Sequence, residues 1–211
     1  MRCFSQGDNN VIILGKGKGF NPLKGSWFIY YKKQWREQKV ELLFLGHSLL
    51  DFYPRDSIGN WKIRNVAKQG TIAKEGWKLL VEDPKILTNS NAVLVMYGIN
   101  EIYYQMKEEM VMDYLERILQ VIKGHRVDLP IILSSIIQTP ETQRIKPAKI
   151  QRLNDQINQL AQDYGAYLLT WQAFYNSEGF IREEYTLDGI HLTAKGYQLF
   201  DHVLLQLLRV I

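Results

Sequence analysis

Cysteine is almost missing from this chain: Cys3 is the only one in 211 residues, so no disulfide can close within it. Histidine is nearly as sparse, at four. One thiol and four imidazoles make a structural zinc site a poor expectation, and neither a metal nor a cofactor is predicted. No apolar run approaches the ~18 residues of a spanning helix, so stable membrane insertion is not expected. The opening Met1-Arg2-Cys3-Phe4-Ser5-Gln6-Gly7-Asp8-Asn9-Asn10 lacks the continuous apolar stretch of a secretory signal, and the run 11–14 is too short to supply it. A cytoplasmic location is the expectation. An excess of one charge is missing too: 26 basic side chains face 22 acidic ones, a net charge of +4. The acids are spread among the bases, so nucleic acid is not an expected partner.

Hydrophobic residues make up 46% and charged residues 23%. Those are the proportions of a soluble globular protein, and they set disorder and fibrous repeats aside. The length suits one full domain or two cramped ones. Residues 1–39 are the least regular and read as an N-terminal extension, whose packing the sequence leaves open, ahead of a domain at 40–211. Within it, 15–22 reads as loop, 27–31 as a short strand or a helix start, and 32–39 as a polar helix or linker. Gly15-x-Gly17-x-Gly19 imitates part of a dinucleotide fingerprint but lacks the βαβ setting, so nucleotide binding is not predicted. The aromatic cluster from Trp27 to Tyr31, with Trp35, is a candidate packing surface for a homodimer.

Order begins at Val40. The run 40–45 is short, apolar and closed by Gly46, which predicts a strand with a helix starting near Ser48. A weaker strand is expected at 62–66, then a helix over 72–82 stopped by Pro84. Residues 92–97 are strongly apolar and end at Gly98. Met106, Met110, Tyr114, Ile118 and Ile122 recur at helical spacing across 105–122. A β-rich run follows at 131–137, bounded by Thr139-Pro140. The stretch 145–163 is helical, with Ile150, Leu153, Ile157 and Leu160 on one face. A fifth strand is expected at 166–170, and a closing helix over 194–209 with Thr193 as its cap. Strand–helix alternation is the βαβ signature, and strands apolar throughout need both faces covered. The predicted fold is α/β: three-layer α/β/α with about five parallel strands and right-handed crossovers.

Functional groups on such sheets gather beyond the carboxyl ends of the strands. Four segments there carry chemistry: Gly46-His47-Ser48, residues 65–70, Gly98-Ile99-Asn100-Glu101 and Asp188-Gly189-Ile190-His191. Ser48, following a strand at a helix start, is either an N-cap or a nucleophile; free N–H groups at that end stabilise an anion forming beside it. A hydroxyl needs a base to become a nucleophile. His125 falls in a solvated turn on the amino-terminal side of the sheet, and His202 lies within the last helix. His47 adjoins the serine, but adjacent side chains diverge. His191 remains. Asp188, three residues earlier in a glycine-containing turn, can reach its Nδ1 and leave Nε2 for the serine. A lone D-x-x-H is also what a turn carboxylate beside a surface histidine looks like. Asn100 reads as an oxyanion donor or as a helix cap or Asx turn, and Gly70 as an N–H donor or as a turn needing positive φ.

Together, Gly46-His47-Ser48-Leu49, the segment 65–70, Gly98-Ile99-Asn100-Glu101 and Asp188-Gly189-Ile190-His191 resemble the four blocks of the SGNH (GDSL-type) hydrolases. Order and rough spacing agree from Val40 to the C-terminus. The likeness is greatest to small bacterial lipase/acylhydrolase or platelet-activating-factor-acetylhydrolase-like members. It implies a serine esterase with Ser48 as nucleophile, His191 as base and Asp188 as the partner that orients it. The N–H groups of Ser48 and Gly70 and the side chain of Asn100 would form the oxyanion hole. Two positions depart from the pattern. His47 stands where the family usually has aspartate, and Glu101 where aspartate more often follows the asparagine. A charged His47 would disfavour protonated His191 if the two rings lay within about 6 Å.

Phe52, Tyr53, Tyr97, Tyr103, Tyr104 and Met106 flank these segments, either as pocket walls or as core packing. The short connections predict no separate lid. An open site favours a small or extended polar ester, such as an acetylated carbohydrate or a lysolipid, over triacylglycerol droplets. Two alternatives remain on the same framework: acyl transfer to a sugar or alcohol acceptor, and ligand binding without turnover.

Overall fold

The computed structural model describes residues 2–5, 11–14 and 40–211. The chain forms two compact units, Met1–Gln38 and Lys39–Ile211. In the first, β1 (Arg2–Ser5) pairs antiparallel with β2 (Val11–Leu14), Cys3 opposite Ile13. The readings made for 15–22, 27–31 and 32–39, the glycine motif and the Trp35 cluster lie outside the described residues.

The second unit is a sheet covered on both sides. Its central strand, β3 (Val40–Gly46), holds Leu42, Leu43, Phe44 and Leu45 without any exposure. Successive strand residues face opposite ways, so one apolar run feeds two cores. Leu43 and Leu45 join the core under α2 (Ala73–Glu82), α4 (Glu108–His125) and α5 (Pro147–Asp163). Leu42 and Phe44 join the other, under α1 (Ser48–Asp51) and α6 (Ala194–Leu208). Alternating polarity is therefore absent from β3 and β6 (Ala92–Met96), because neither face meets water.

Five strands are parallel: β5 (Trp61–Asn65), β3, β6, β7 (Ile131–Ser134) and β8 (Tyr167–Leu169), in that order across the sheet. A two-residue antiparallel edge, β4 (Ser57–Ile58), lies outside β5 and was not predicted. From β3 the chain moves to one side for β5, then crosses to β6 on the other. The crevice beyond the carboxyl ends of β3 and β6 is thus the topological switch point, the place where α/β sheets bind ligands.

Three expectations need correction. The stretch 105–122 is not one helix with a Met106–Ile122 face. A short α3 (Ile99–Tyr103) comes first, Gln105 turns through φ +57°, and α4 starts at Glu108. Met110 is exposed, and the buried row is Val111, Leu115, Ile118, Leu119 and Ile122. A strict four-residue spacing drifts about 40° per step round a helix of 3.6 residues per turn, so both ends of such a row cannot share a face. His125 ends α4 instead of lying in a turn. Likewise β7 stops at Ser134, short of Ile137: the Asn154 side chain takes the Ile136 N–H at 2.6 Å and donates to its carbonyl at 2.8 Å, replacing the ladder. Thr193 caps α6 as expected, its hydroxyl accepting from Gly196 N–H at 3.0 Å.

Candidate active site

Ser48 is the first residue of α1, with one residue, His47, between it and the end of β3. Its own N-cap is His47, whose Nδ1 accepts from Leu49 N–H at 3.4 Å. The capping reading of Ser48 therefore fails, and its hydroxyl is left to another partner. That partner is His191, whose Nε2 lies 2.9 Å from Ser48 Oγ. The loop before α6 holds the ring. Asp188 Oδ1 accepts from the N–H groups of Ile190 at 3.0 Å and His191 at 2.8 Å, while Oδ2 lies 2.6 Å from His191 Nδ1. Gly189 makes that turn at φ +91°. Since a carboxylate only accepts, Nδ1 carries the proton and Nε2 is free to accept from the serine. Burial alone would raise the Asp188 pKa, but the bonds from the His191 ring and the two backbone N–H groups outweigh it and hold the carboxyl below its ordinary value.

Gly70 turns through φ +76°, and Gln69 N–H donates to Asp51 Oδ2 at 2.8 Å, which ties this turn to α1. Asn100 is not a cap: it lies inside α3, whose N-cap is Gly98 at φ +121°. Its amide donates to Thr71 O at 2.8 Å. An amide has two N–H bonds, so the second remains for another acceptor. Neither Ser48 N–H nor Gly70 N–H donates to a protein acceptor among the described residues. Sequence reasoning missed Asp51 and Thr71, whose contacts run to backbone groups and leave no motif.

A family model, the GDSL-like lipase/acylhydrolase family, matches residues 36–199. The chain belongs to this family. Among solved structures it is similar to a GDSL-like lipase from Bacteroides thetaiotaomicron VPI-5482, at 17% identity and TM-score 0.69, covering 87% of this chain and 97% of that one. It is also similar to the acetyl xylan esterase AlAXEase, at 15% identity and TM-score 0.65, covering 79% and 98%. At such identities the likeness shows the fold. A curated relative, an N-acylneuraminate cytidylyltransferase of Escherichia coli O18:K1:H7 (strain RS218 / NMEC), is 24% identical over 173 residues. That match takes in 80% of this chain, and the chain spans only 40% of that relative's length.

Within this GDSL-type domain the two departures have physical explanations. His47 is buried, and burial first, then the nearby His191, lower its pKa to about 3. The ring is neutral at ordinary pH, so the expected charge repulsion against protonated His191 does not arise. Glu101 uses its longer reach. One carboxylate oxygen accepts from Gly98 N–H at 2.8 Å and the other from Ala73 N–H at 2.6 Å, across two loops.

The flanking aromatics divide. Tyr53 and Tyr97 are core residues, and Met106 packs against the core under α4. Phe52, Tyr103 and Tyr104 are exposed, at 46%, 42% and 54%. The Phe52 ring stands 5.7 Å from that of His191, and Tyr104 Oη is 3.4 Å from Gly70 O. Phe52 and Tyr104 therefore border the site, and the Tyr103 ring lies 5.7 Å from that of Tyr104.

Proposed function

We propose that the domain hydrolyses acetyl or short acyl esters of polar alcohols, carbohydrates first, through an acyl-enzyme on Ser48. The relay from Ser48 Oγ to His191 Nε2 at 2.9 Å and from Nδ1 to Asp188 at 2.6 Å carries this reading. In the cycle, His191 takes the serine proton as Oγ attacks the ester carbon. The charge on the carbonyl oxygen is met by Ser48 N–H, Gly70 N–H and the second amide N–H of Asn100. Asp188 steadies the imidazolium. His191 then protonates the departing alcohol, and water attacks the acyl-serine with the same residues in the same roles.

The sugar preference rests on the border of the site and on names. Exposed rings beside a polar relay suit the faces of a sugar and its hydroxyls better than a long acyl chain, which needs a buried apolar channel. Two similar proteins bear names that involve acylated sugars, an acetyl xylan esterase and an N-acylneuraminate cytidylyltransferase.

Turnover of acetylated sugars, short-chain p-nitrophenyl esters and lysophospholipids by the parent and by Ser48→Ala tests this reading. Acetyl release from the sugars is expected, with a fall of ~10³-fold or more in folded Ser48→Ala. Undiminished turnover in Ser48→Ala would reject the nucleophile. Product that appears only with an added alcohol acceptor would indicate acyl transfer in place of hydrolysis.

A further inference from the structure

The proposed hydrolysis asks three donors on three separate segments to converge on one oxygen. Ser48 follows β3, Gly70 lies in the turn before α2, and Asn100 stands in α3. We infer that Thr71 and Glu101 are positioning residues that set these donors in register, an inference that rests on the esterase reading.

Thr71 meets all three segments. Its hydroxyl donates to Lys68 O at 2.7 Å, with Gly46 O at 3.1 Å as a second acceptor. Gly46 is the last residue of β3, two before the proposed nucleophile, and Lys68 lies in the turn that presents Gly70. The Thr71 carbonyl accepts the Asn100 amide at 2.8 Å. Because an amide is planar, fixing one N–H fixes the direction of the other.

Glu101 closes the arrangement from the far side. It is 1% exposed, and its two oxygens take one backbone donor each, Ala73 N–H at 2.6 Å and Gly98 N–H at 2.8 Å. Those residues are the first of α2 and the N-cap of α3, so the carboxylate holds the segment after Thr71 against the start of the helix that bears Asn100. Glutamine would present an NH₂ to one of two N–H donors and lose a bond. Fixed donors need no reorganisation as charge develops, whereas a displacement of about 1 Å can cost ~10²-fold in rate.

Steady-state kinetics of the full chain on p-nitrophenyl acetate, with thermal unfolding alongside, test the inference in the parent, Thr71→Val, Thr71→Ser and Glu101→Gln. Thr71→Val is expected to lower kcat about 10- to 100-fold with KM within about twofold. Thr71→Ser, which keeps the hydroxyl, restores most of the loss. Glu101→Gln lowers kcat to a similar degree. Labelling of Ser48 by a fluorophosphonate, which charges an oxygen at the same place, slows in parallel, while the pH dependence keeps its midpoint because His191 and Asp188 are untouched. Should Glu101→Gln fail to fold, Thr71→Val and Thr71→Ser decide the matter. Parental kcat in folded Thr71→Val, or a loss seen in KM alone, overturns the inference and leaves the esterase reading standing. A parent that neither turns over ester nor labels at Ser48 overturns both.

Discussion

Asp188 commits its acceptor capacity to one short loop. One oxygen orders the backbone of Ile190 and His191, and the other holds the imidazole in the tautomer that a serine proton requires. Asp188→Asn keeps the shape but sets an NH₂ beside either the ring or the backbone donors. The expected result is a folded protein, by circular dichroism, with kcat lowered roughly 10³- to 10⁴-fold; near-parental turnover would mean that another carboxylate holds the ring. His47 makes a different prediction. Unfolded, its ring gains a proton below pH 6.5, but folded it stays neutral down to about pH 3. Its contribution to stability is therefore full above 6.5 and falls as the pH drops, by up to about 1.4 kcal/mol per pH unit. Urea midpoints of parent and His47→Gln should converge between pH 6.5 and 4.5, and curves that stay parallel would show that the ring protonates in the native state. The contact among Ser48, His191 and Asp188 was legible because the proposed roles of nucleophile, base and orienting acid call for particular residue types at particular loop positions. Thr71 and Asp51 were not, since any residue with a carbonyl or a short polar group could make their backbone contacts.

At the scale of elements, β3, β6 and β7 were readable because burial on both faces writes an apolar run, whereas β5, with Lys62 and Arg64 in it, gave the weaker signal. Two kinds of feature escaped. The edge strand β4 is two residues long and has no periodicity to detect. The boundary between α3 and α4 falls at Gln105, a non-glycine residue at positive φ that no periodicity announces. Gly98 governs that region. Its φ of +121° disfavours any side chain, and a Cβ there would lie 2.4 Å from Ile136 Cδ1. Gly98→Ala should cost about 1–3 kcal/mol through backbone strain. It should also turn α3, and Asn100 with it, so kcat falls beyond what the lost stability explains. Thermal unfolding and kinetics measured together check this; parental kcat in the destabilised variant would separate α3 from the chemistry.

For the whole molecule, strand order decides where chemistry can occur. The chain reverses direction across the sheet between β5 and β6, and the segments bearing Ser48 and Asn100 leave β3 and β6 at that reversal. The α/β reading from strand–helix alternation therefore pointed to the carboxyl ends of the strands, where the proposed site lies, before any side chain was assigned a role. All five proposed site residues lie in the unit Lys39–Ile211. A fragment of residues 39–211 should accordingly fold and keep ester turnover within about threefold of the full chain, by circular dichroism and p-nitrophenyl acetate hydrolysis. A folded but inactive fragment would place a required group in residues 1–38. The most direct measurement is acid-quenched mass spectrometry of the protein mixed with p-nitrophenyl acetate, followed by peptide mapping. One acetyl group on Ser48, absent from Ser48→Ala, is the predicted result. Acetyl carried at another residue while turnover persists in Ser48→Ala would contradict it.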